Sequence, residues 1–592
     1  MANKADSSVG TLSCLIVAAL FAAGLVHLAV SLRAVQVTDA ADYNYASARQ
    51  SIRRVQTVGL RGRILGRRGE VLAGNRLSLS IVCLPASFEK RSWSNTVDAI
   101  ERGIGAVGAA IGRRSPLSRR AISRHVAQSL AMPLTVWRDV GESELAVFCE
   151  HERDFAGFSV SETAERVYPG GQLASHVIGY VGRDRGESFA GDEKFSYFAP
   201  EMRGRSGLEG YYDGFLRGVP GERKLLVDAR GFAIRGWTVV DAKPGPDLRT
   251  TIDLRIQMAA ERELRGEKGA CAVIDPRNGE VLALASSPGF DLNAFVPVLS
   301  PETYARYVDD PAKPLLNRAT GGAYAPGSTF KPVTALAGLK AGYLPDEEYE
   351  CTGEFVCGGM RLHCMSRWGH GPMDVRHALM KSCNPFFCNL GTFAGTNAFC
   401  RAARAFGLGA KTGIDLGIDR AGVVPDGDWK IRTYGERWYP GDLAQVSIGQ
   451  GMLLATPLQM ALVAGALGTG RLVSPHLRVD APAAAKPLPF SAEQLNVVRE
   501  GMRMVVTGEG GARGTGWRGG EGVPVRVSGK TGTAEVGAGE RKRKNAWFIA
   551  YAPSDAPTAA IALVVENGES GGGTAAPKVC AILKAMFGGG DT

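Results

Sequence analysis

Apolar and polar positions divide the chain unevenly. Residues 11–32, TLSCLIVAALFAAGLVHLAVSL, are one continuous apolar stretch with His27 as the only acidic or basic side chain. About 20 apolar residues span the hydrocarbon of a bilayer as a helix. The stretch therefore predicts a transmembrane anchor at 11–32 behind a short tail at 1–10. A cleaved signal peptide is the alternative. The apolar region is long for one, and no small-residue cleavage site stands out after it. Lys4 and Arg33 are too few to orient the helix by charge.

Residues 33–248 alternate short β-rich runs, at 77–82 and 224–227, with helical stretches around 96–128. This Gly- and Arg-rich region shows no pairing of nucleophile and base, so a structural or docking role is expected. A break falls at Pro244-Gly245-Pro246-Asp247. The pattern then predicts a helix over 254–265 and a buried strand over 270–276. An Asn278-Gly279 hairpin signal leads to a second strand over 280–286. Long helical stretches follow. Strand character returns at 546–552 and 558–566, joined by Pro553-Ser554-Asp555. A sheet built from both ends of one domain, with helices between, is an α+β architecture. The domains expected are a pedestal at 33–248 and a catalytic domain at 249–592.

Length and composition agree with a multidomain globular chain. It has 592 residues, 45% apolar and 22% charged, which excludes a largely disordered or polytopic protein. The net charge of +10 is a mild bias over this length; it suits an anionic surface or substrate and gives no indication of nucleic acid. Eleven cysteines are too few for a disulfide-dense scaffold, but Cys351, Cys357, Cys364, Cys383 and Cys388 crowd one segment.

Three short strings carry chemistry. In Ser328-Thr329-Phe330-Lys331, the helix-forming composition that follows and Pro332 place Ser328 at a helix N-terminus, with Lys331 one turn on. A neutral lysine there could take the proton of the serine hydroxyl. In Ser382-Cys383-Asn384, a hydroxyl and a carboxamide two residues apart could share one cavity. In Lys530-Thr531-Gly532-Thr533, a cation and two hydroxyls suit a substrate carboxylate, and Gly532 would leave room for a substrate backbone. Lys411-Thr412-Gly413 lacks the second threonine and is rejected. Each string alone is weak. A helix cap with a solvated lysine, or an ordinary loop, accounts for any one of them. The ordered triple, separated by 54 and 148 residues, is specific.

With this triple the sequence resembles the class B penicillin-binding proteins over almost its whole length, and within them the elongation type, penicillin-binding protein 2. Further matching strings are Arg61-Gly62-Arg63-Ile64, RVYPGGQLASHVIGYVG at 166–182, SGLEGYYDGFLRG at 206–218, VIDPRNGEVLALASSPGFDLN at 273–293, SIGQGMLLATPLQM at 447–460 and NAWFIAYAP at 545–553. The elongation-type cues are Trp368-Gly369-His370-Gly371 and the TGIDL string at 412–416. The resemblance implies a single-pass anchor in the cytoplasmic membrane, a dimerisation-type pedestal and a transpeptidase domain on the outer side. It implies D,D-transpeptidation of peptidoglycan stem peptides ending in D-Ala-D-Ala. Ser328 would be the acylated nucleophile and Lys331 the base, its proton affinity lowered by burial and by Lys530. Ser382 would relay a proton, and Asn384 would position the substrate amide. Lys530, Thr531 and Thr533 would hold the carboxylate beside Gly532, with the N–H groups of Ser328 and Thr533 as oxyanion hole. β-Lactams would acylate Ser328. The implied partners are a SEDS-type glycosyltransferase resembling RodA and other elongation-complex proteins. Two positions depart from the family pattern: Gly66, often acidic, and Asn545, often His.

No cofactor is required for this chemistry. Four soft ligands from the cysteine-rich segment could nonetheless hold a structural zinc ion. By resemblance they would be Cys351, Cys364, His370 and Cys383. One or two disulfides, or buried free thiols at Cys388 and Cys400, are the alternatives. If Ser382 and Asn384 face the cavity, Cys383 faces away, and a metal would brace the loop from behind. Arg541-Lys542-Arg543-Lys544 reads as a solvated hairpin loop, with contact to an anionic glycan or lipid as the sharper alternative. Other functions consistent with the same residues are a division-type transpeptidase, a β-lactamase or β-lactam sensor, and a scaffold activating a membrane glycosyltransferase. The anchor and pedestal argue against a secreted β-lactamase.

Overall fold

The computed structural model describes residues 5–88, 92–183, 196–198, 202–537 and 543–589. The apolar stretch is helical, but the helix runs Ala5–Arg33, so the expected tail at 1–10 is already helical from Ala5. No proline stands before residue 11, and Gly10 alone, at a cost of about 1 kcal/mol, does not stop it. The span Leu12–Thr38 has a mean hydropathy of 2.4 and packs against no other part of the protein. Its apolar surface therefore needs a non-aqueous environment.

A polar helix, Ala40–Ser51, leads into strand Ile52–Thr57. That strand pairs with Gly221–Val227, which pairs in turn with Ala233–Val240. The second pedestal sheet centres on the long strand Val71–Cys83, paired with Phe158–Val167 and Leu134–Trp137. The β-rich runs expected at 77–82 and 224–227 lie inside these longer strands. The helical region resolves into Trp93–Ala110 and Arg119–Gln128, started by the Ser92 and Ser118 hydroxyls, which accept from Asn95 N and Ala121 N. Val97, Ile100, Ile104 and Val107 repeat at helical spacing and bury one face against Trp137 and Phe148.

At the root of the pedestal, Glu209 is fully buried and accepts from Arg61 Nε at 2.6 Å and Arg166 Nε at 2.7 Å. Arg61 reaches on to Asp213 at 2.7 Å. A buried charge needs this degree of pairing. The pedestal meets the following domain through Tyr212, whose hydroxyl donates to Asp415 at 2.6 Å, and through paired hydrogen bonds between Asn293 and the Tyr168 backbone.

The second domain is built on five antiparallel strands in the order Val281–Ser287, Gly269–Ile274, Ala559–Val565, Arg543–Ala552, Ser528–Val536. The first two and the last three are far apart in sequence, as the pattern predicted. The expected ranges shift by one to three residues at the ends, and the 254–265 helix ends at Glu263. Alternate residues point to two different cores. Ala270, Ala272 and Ile274 face the larger helical core, whereas Cys271 and Val273 face the helices Leu254–Glu263 and Ala576–Phe587. Covered faces on both sides explain why these strands read as continuous apolar runs.

The edge strand starts at Ser528, after Pro524 has interrupted the β-branched run 523–527. One expectation changes here. Arg543 and Lys544 are exposed but open the strand Arg543–Ala552 rather than lying in a hairpin loop, because they continue its pairing with Val536 and Glu535. Arg541 and Lys542 lie outside the described residues.

Candidate active site

Gly327 takes the left-handed conformation, φ +56°, and its N–H donates to Gly449 O at 2.8 Å. A 3-10 turn, Gly327–Phe330, carries Ser328 directly into the helix Lys331–Lys340, with Pro332 in the first turn. The predicted placement of Ser328 ahead of Lys331 is therefore found, in a tighter turn than an α-helix. Lys331 is fully buried. Its Nζ bonds Ser382 O at 2.6 Å, Asn384 Oδ1 at 2.7 Å and Ser382 Oγ at 3.3 Å. These contacts go to the second string rather than to the Ser328 hydroxyl.

Ser382 ends the helix Val375–Lys381 in the left-handed region, φ 56°, ψ 40°. Cys383 is extended, and Asn384 opens the helix Asn384–Ala405. The segment is thus a tight helix-to-helix joint rather than an extended strand, but it delivers the Ser382 and Asn384 side chains to the same lysine. Asn384 is oriented at its other end, where Nδ2 donates to His363 O at 2.9 Å.

Lys530, also fully buried, reaches in from the edge strand, its Nζ 2.9 Å from Ser382 Oγ and 2.9 Å from Thr531 O. Burial pulls the Lys331 amine down to about 8, with the Cys383 and Cys388 thiols acting in the opposite direction. Burial, and then the Lys331 charge, hold Lys530 well below the ordinary lysine range. An amine that releases its proton near neutrality can act as a base.

The edge strand lies against the Ser328 turn. A Cβ at Gly532 would come within 2.9 Å of Pro326 O and 3.1 Å of Thr329 N. The missing side chain at Gly532 therefore lets the chain's own turn pack closely on the strand. Thr533 is half-buried, its Oγ1 accepting from Gly571 N at 3.2 Å and its carbonyl accepting from Gln450 Nε2 at 3.3 Å. Thr531 is more enclosed, and its hydroxyl donates to Thr515 Oγ1 at 3.0 Å. Thr515 donates onward to Met380 O at 3.3 Å. Thr515 and Gln450 are site residues that the sequence reading did not single out. Thr515 sits in a glycine-rich turn with no distinguishing spacing, whereas Gln450 lies in the SIGQG string and could have been flagged. The rejected Lys411-Thr412-Gly413 lies elsewhere, where Thr412 and Gly413 bond Asp419.

Behind the Ser382–Asn384 joint, Cys351, Cys364, His370 and Cys383 bring their ligand atoms within 4.8 Å of one another. Cys364 Sγ is 3.2 Å and Cys351 Sγ 3.9 Å from His370 Nδ1. Tetrahedral zinc with sulfur and nitrogen ligands has edges of about 3.5–3.8 Å, so the set is close to that geometry. The hydrogen bond from Cys383, and then the neighbouring His370, pull the Cys364 thiol below its ordinary range, favouring the thiolate that a soft cation takes. Cys351, Cys364 and Cys383, together with Cys388 and Cys400, are free thiols. Asn545 is buried and accepts from Asn567 N at 3.4 Å, remote in role from this machinery.

A two-domain chain with an amine–hydroxyl–carboxamide cluster at a sheet edge is the arrangement of a penicillin-binding transpeptidase. Family models agree: the penicillin binding protein transpeptidase domain matches residues 269–584, and the penicillin-binding protein dimerisation domain matches 56–250. Peptidoglycan D,D-transpeptidase MrdA of Acinetobacter baumannii is 32% identical, covering 94% of this chain and 85% of that protein. The Escherichia coli K12 protein of the same name is 32% identical over 92% of this chain and 89% of its own length. The Helicobacter pylori penicillin-binding protein PBP2, solved in complex with MreC, superposes with a TM-score of 0.77 at 26% identity, covering 91% of this chain and 99% of that one. A chain from a peptidoglycan synthase complex that coordinates polymerization and crosslinking gives 0.72 at 30% identity, covering 99% of both. The chain belongs to the MrdA, or PBP2, family of peptidoglycan D,D-transpeptidases.

Proposed function

We propose that the chain is a serine-type, elongation-type peptidoglycan D,D-transpeptidase that works through a Ser328 acyl-enzyme. The observation that carries this is the convergence of Lys331, Ser382, Asn384 and Lys530 in one buried hydrogen-bonded cluster beside the Ser328 turn. In this reading Lys331, as the neutral amine, takes the Ser328 proton while Oγ attacks the penultimate D-Ala carbonyl. The Ser382 hydroxyl, bridged between Lys331 and Lys530, passes a proton to the departing D-Ala amine. The N–H groups of Ser328 and Thr533 stabilise the tetrahedral oxyanion. Lys530, Thr531 and Thr533 hold the terminal carboxylate. An amine from a second stem peptide then attacks the acyl-enzyme and releases Ser328.

Cys351, Cys364, His370 and Cys383 would hold a zinc ion, whose contribution is structural. It would fix Cys383, and through it the flanking Ser382 and Asn384, from outside the cavity. The apolar helix Ala5–Arg33 anchors the chain in the cytoplasmic membrane, with the catalytic domain on the outer side. The assemblies solved for relatives, one with MreC and one a peptidoglycan synthase, support a place in an elongation complex with a SEDS-type glycosyltransferase of the RodA kind.

Labelling of the purified full chain with a fluorescent penicillin tests the proposal. A stable label that disappears in Ser328→Ala is expected. A label that survives the substitution, or that is released rapidly as from a β-lactamase, would overturn it.

A further inference from the structure

A cavity of about 960 Å³ is lined by none of Ser328, Lys331, Ser382, Asn384 and Lys530. It opens where the Leu254–Glu263 helix meets the end of the Ala576–Phe587 helix, the 286–289 turn and the 170–173 loop. Ligand sites fall in the range of about 300–1,000 Å³. The two helices cover the sheet face opposite the catalytic core.

Arg255, Arg262 and Arg265 line this cavity. Arg255 and Arg262 are two turns apart on one helical face, and Arg265 follows in the next turn. Their ion contacts are local and long. Arg255 Nη2 is 3.4 Å from Asp253, and Arg262 Nε is 3.4 Å from its neighbour Glu263. Charge-assisted hydrogen bonds run about 2.7–2.9 Å, so these carboxylates leave most of the guanidinium capacity unused. Arg265 makes no ion pair among the described residues. The side chains of Arg255 and Arg262 stay more than half exposed.

One carboxyl, Glu261, also lines the cavity, and it is already engaged. Its Oε1 accepts from Ala174 N at 2.7 Å and from Gln257 Nε2 at 2.8 Å, which fastens the 170–174 loop to the helix. Met258, 54% exposed, and Leu173 add apolar surface beside the cations. The walls therefore offer several guanidinium forks, one occupied carboxyl and a modest apolar shelf.

We propose that this cavity binds a phosphate-bearing anion and that the bound anion bridges the pedestal and the transpeptidase domain. Guanidinium forks match phosphate oxygens two at a time. Lys584 lines the same cavity, and four cations kept together without a ligand repel one another, a repulsion that a polyanion relieves. The bridging follows from the lining: residues 170–173 lie in the segment matched by the dimerisation domain, and residues 286–289 in that matched by the transpeptidase domain. A free phosphate ester and a lipid headgroup present the same group.

The test uses the full chain in phosphatidylcholine nanodiscs, titrated with inorganic pyrophosphate by calorimetry. Saturable binding is expected, weakened at least about tenfold in Arg262→Glu and unchanged in Arg235→Glu, which alters a strand outside the cavity. Retained penicillin labelling in both variants verifies their folding. Hydrogen exchange over 254–266 and 170–174 then separates the sources. Protection in phosphatidylglycerol nanodiscs without pyrophosphate, lost in Arg262→Glu, assigns a lipid headgroup. Protection only with pyrophosphate assigns a free phosphate. Binding that is absent in every arm, or equal in Arg262→Glu and the parent, overturns the proposal.

Discussion

Lys331 and Lys530 converge on one oxygen: their Nζ atoms lie 3.3 and 2.9 Å from the Ser382 hydroxyl. Both lysines are fully buried, and two ammonium groups cannot be held cheaply at this separation without counter-charges. Burial lowers the proton affinity of both amines, and each charge lowers it further for its neighbour, so the cluster releases a proton more readily than an ordinary lysine.

A pH dependence follows. The Lys331 amine, drawn down to about 8 by burial, is protonated and inactive as a base below that value and free above it. The rate of penicillin acylation at Ser328 should therefore rise with pH and level off above about pH 8. Stopped-flow labelling across this range checks the expectation. A rate that falls as pH rises would exclude Lys331 as the base.

Thr515 should matter although it lies outside the three strings. Its hydroxyl accepts from Thr531 and donates to Met380 O, which ties the edge strand to the helix ending at Ser382. Thr515→Val keeps the shape and removes both bonds. The expected result is acylation slowed about tenfold, equivalent to about 1.4 kcal/mol, with little change in Tm. Unchanged acylation kinetics would show that Thr531 needs no such partner.

The cysteine and histidine cluster predicts near-stoichiometric zinc in the purified protein. Cys364→Ser should lose the metal and weaken penicillin labelling, because His363, whose carbonyl holds Asn384 Nδ2, immediately precedes Cys364. Elemental analysis of the parent and the variant reads the metal directly. A metal-free parent with Cys351 and Cys364 oxidised together would favour the disulfide alternative.

Glu209→Ala should destabilise the pedestal by about 3–5 kcal/mol, the usual cost of leaving buried charges without a partner. Arg61 and Arg166 both depend on this carboxylate. Urea unfolding measures the loss. A change below about 1 kcal/mol would mean that Asp213 and solvent replace it adequately.

The candidate site was partly legible because its residues lie in short strings in a fixed order. Lys331, Ser382, Asn384 and Lys530, which the fold brings into one hydrogen-bonded cluster, all belong to the ordered triple, and the apolar runs identified the strands beside them. Other features are set by contacts between distant segments. The close packing of the Ser328 turn on Gly532 carries no local signal, because the Pro326 carbonyl that a Cβ there would meet comes from another part of the chain. Thr515 carries no local signal, since only folding brings it to Thr531. Glu209, Arg61 and Arg166 each lie in a string that was quoted, but their pairing across 43 and 148 residues is set only by folding. Arg543 and Lys544 looked like loop residues by charge, yet backbone pairing to Val536 and Glu535 extends the strand through them.

The left-handed backbone of Ser382 places opposing demands on a single codon. The geometry at φ 56° favours glycine or asparagine, whereas the bridge between two lysines requires a hydroxyl. Threonine would keep the hydroxyl, but its branched side chain resists that conformation. Glycine would relax the backbone and leave both amines without their shared oxygen. Mutational drift at this position therefore has few neutral routes.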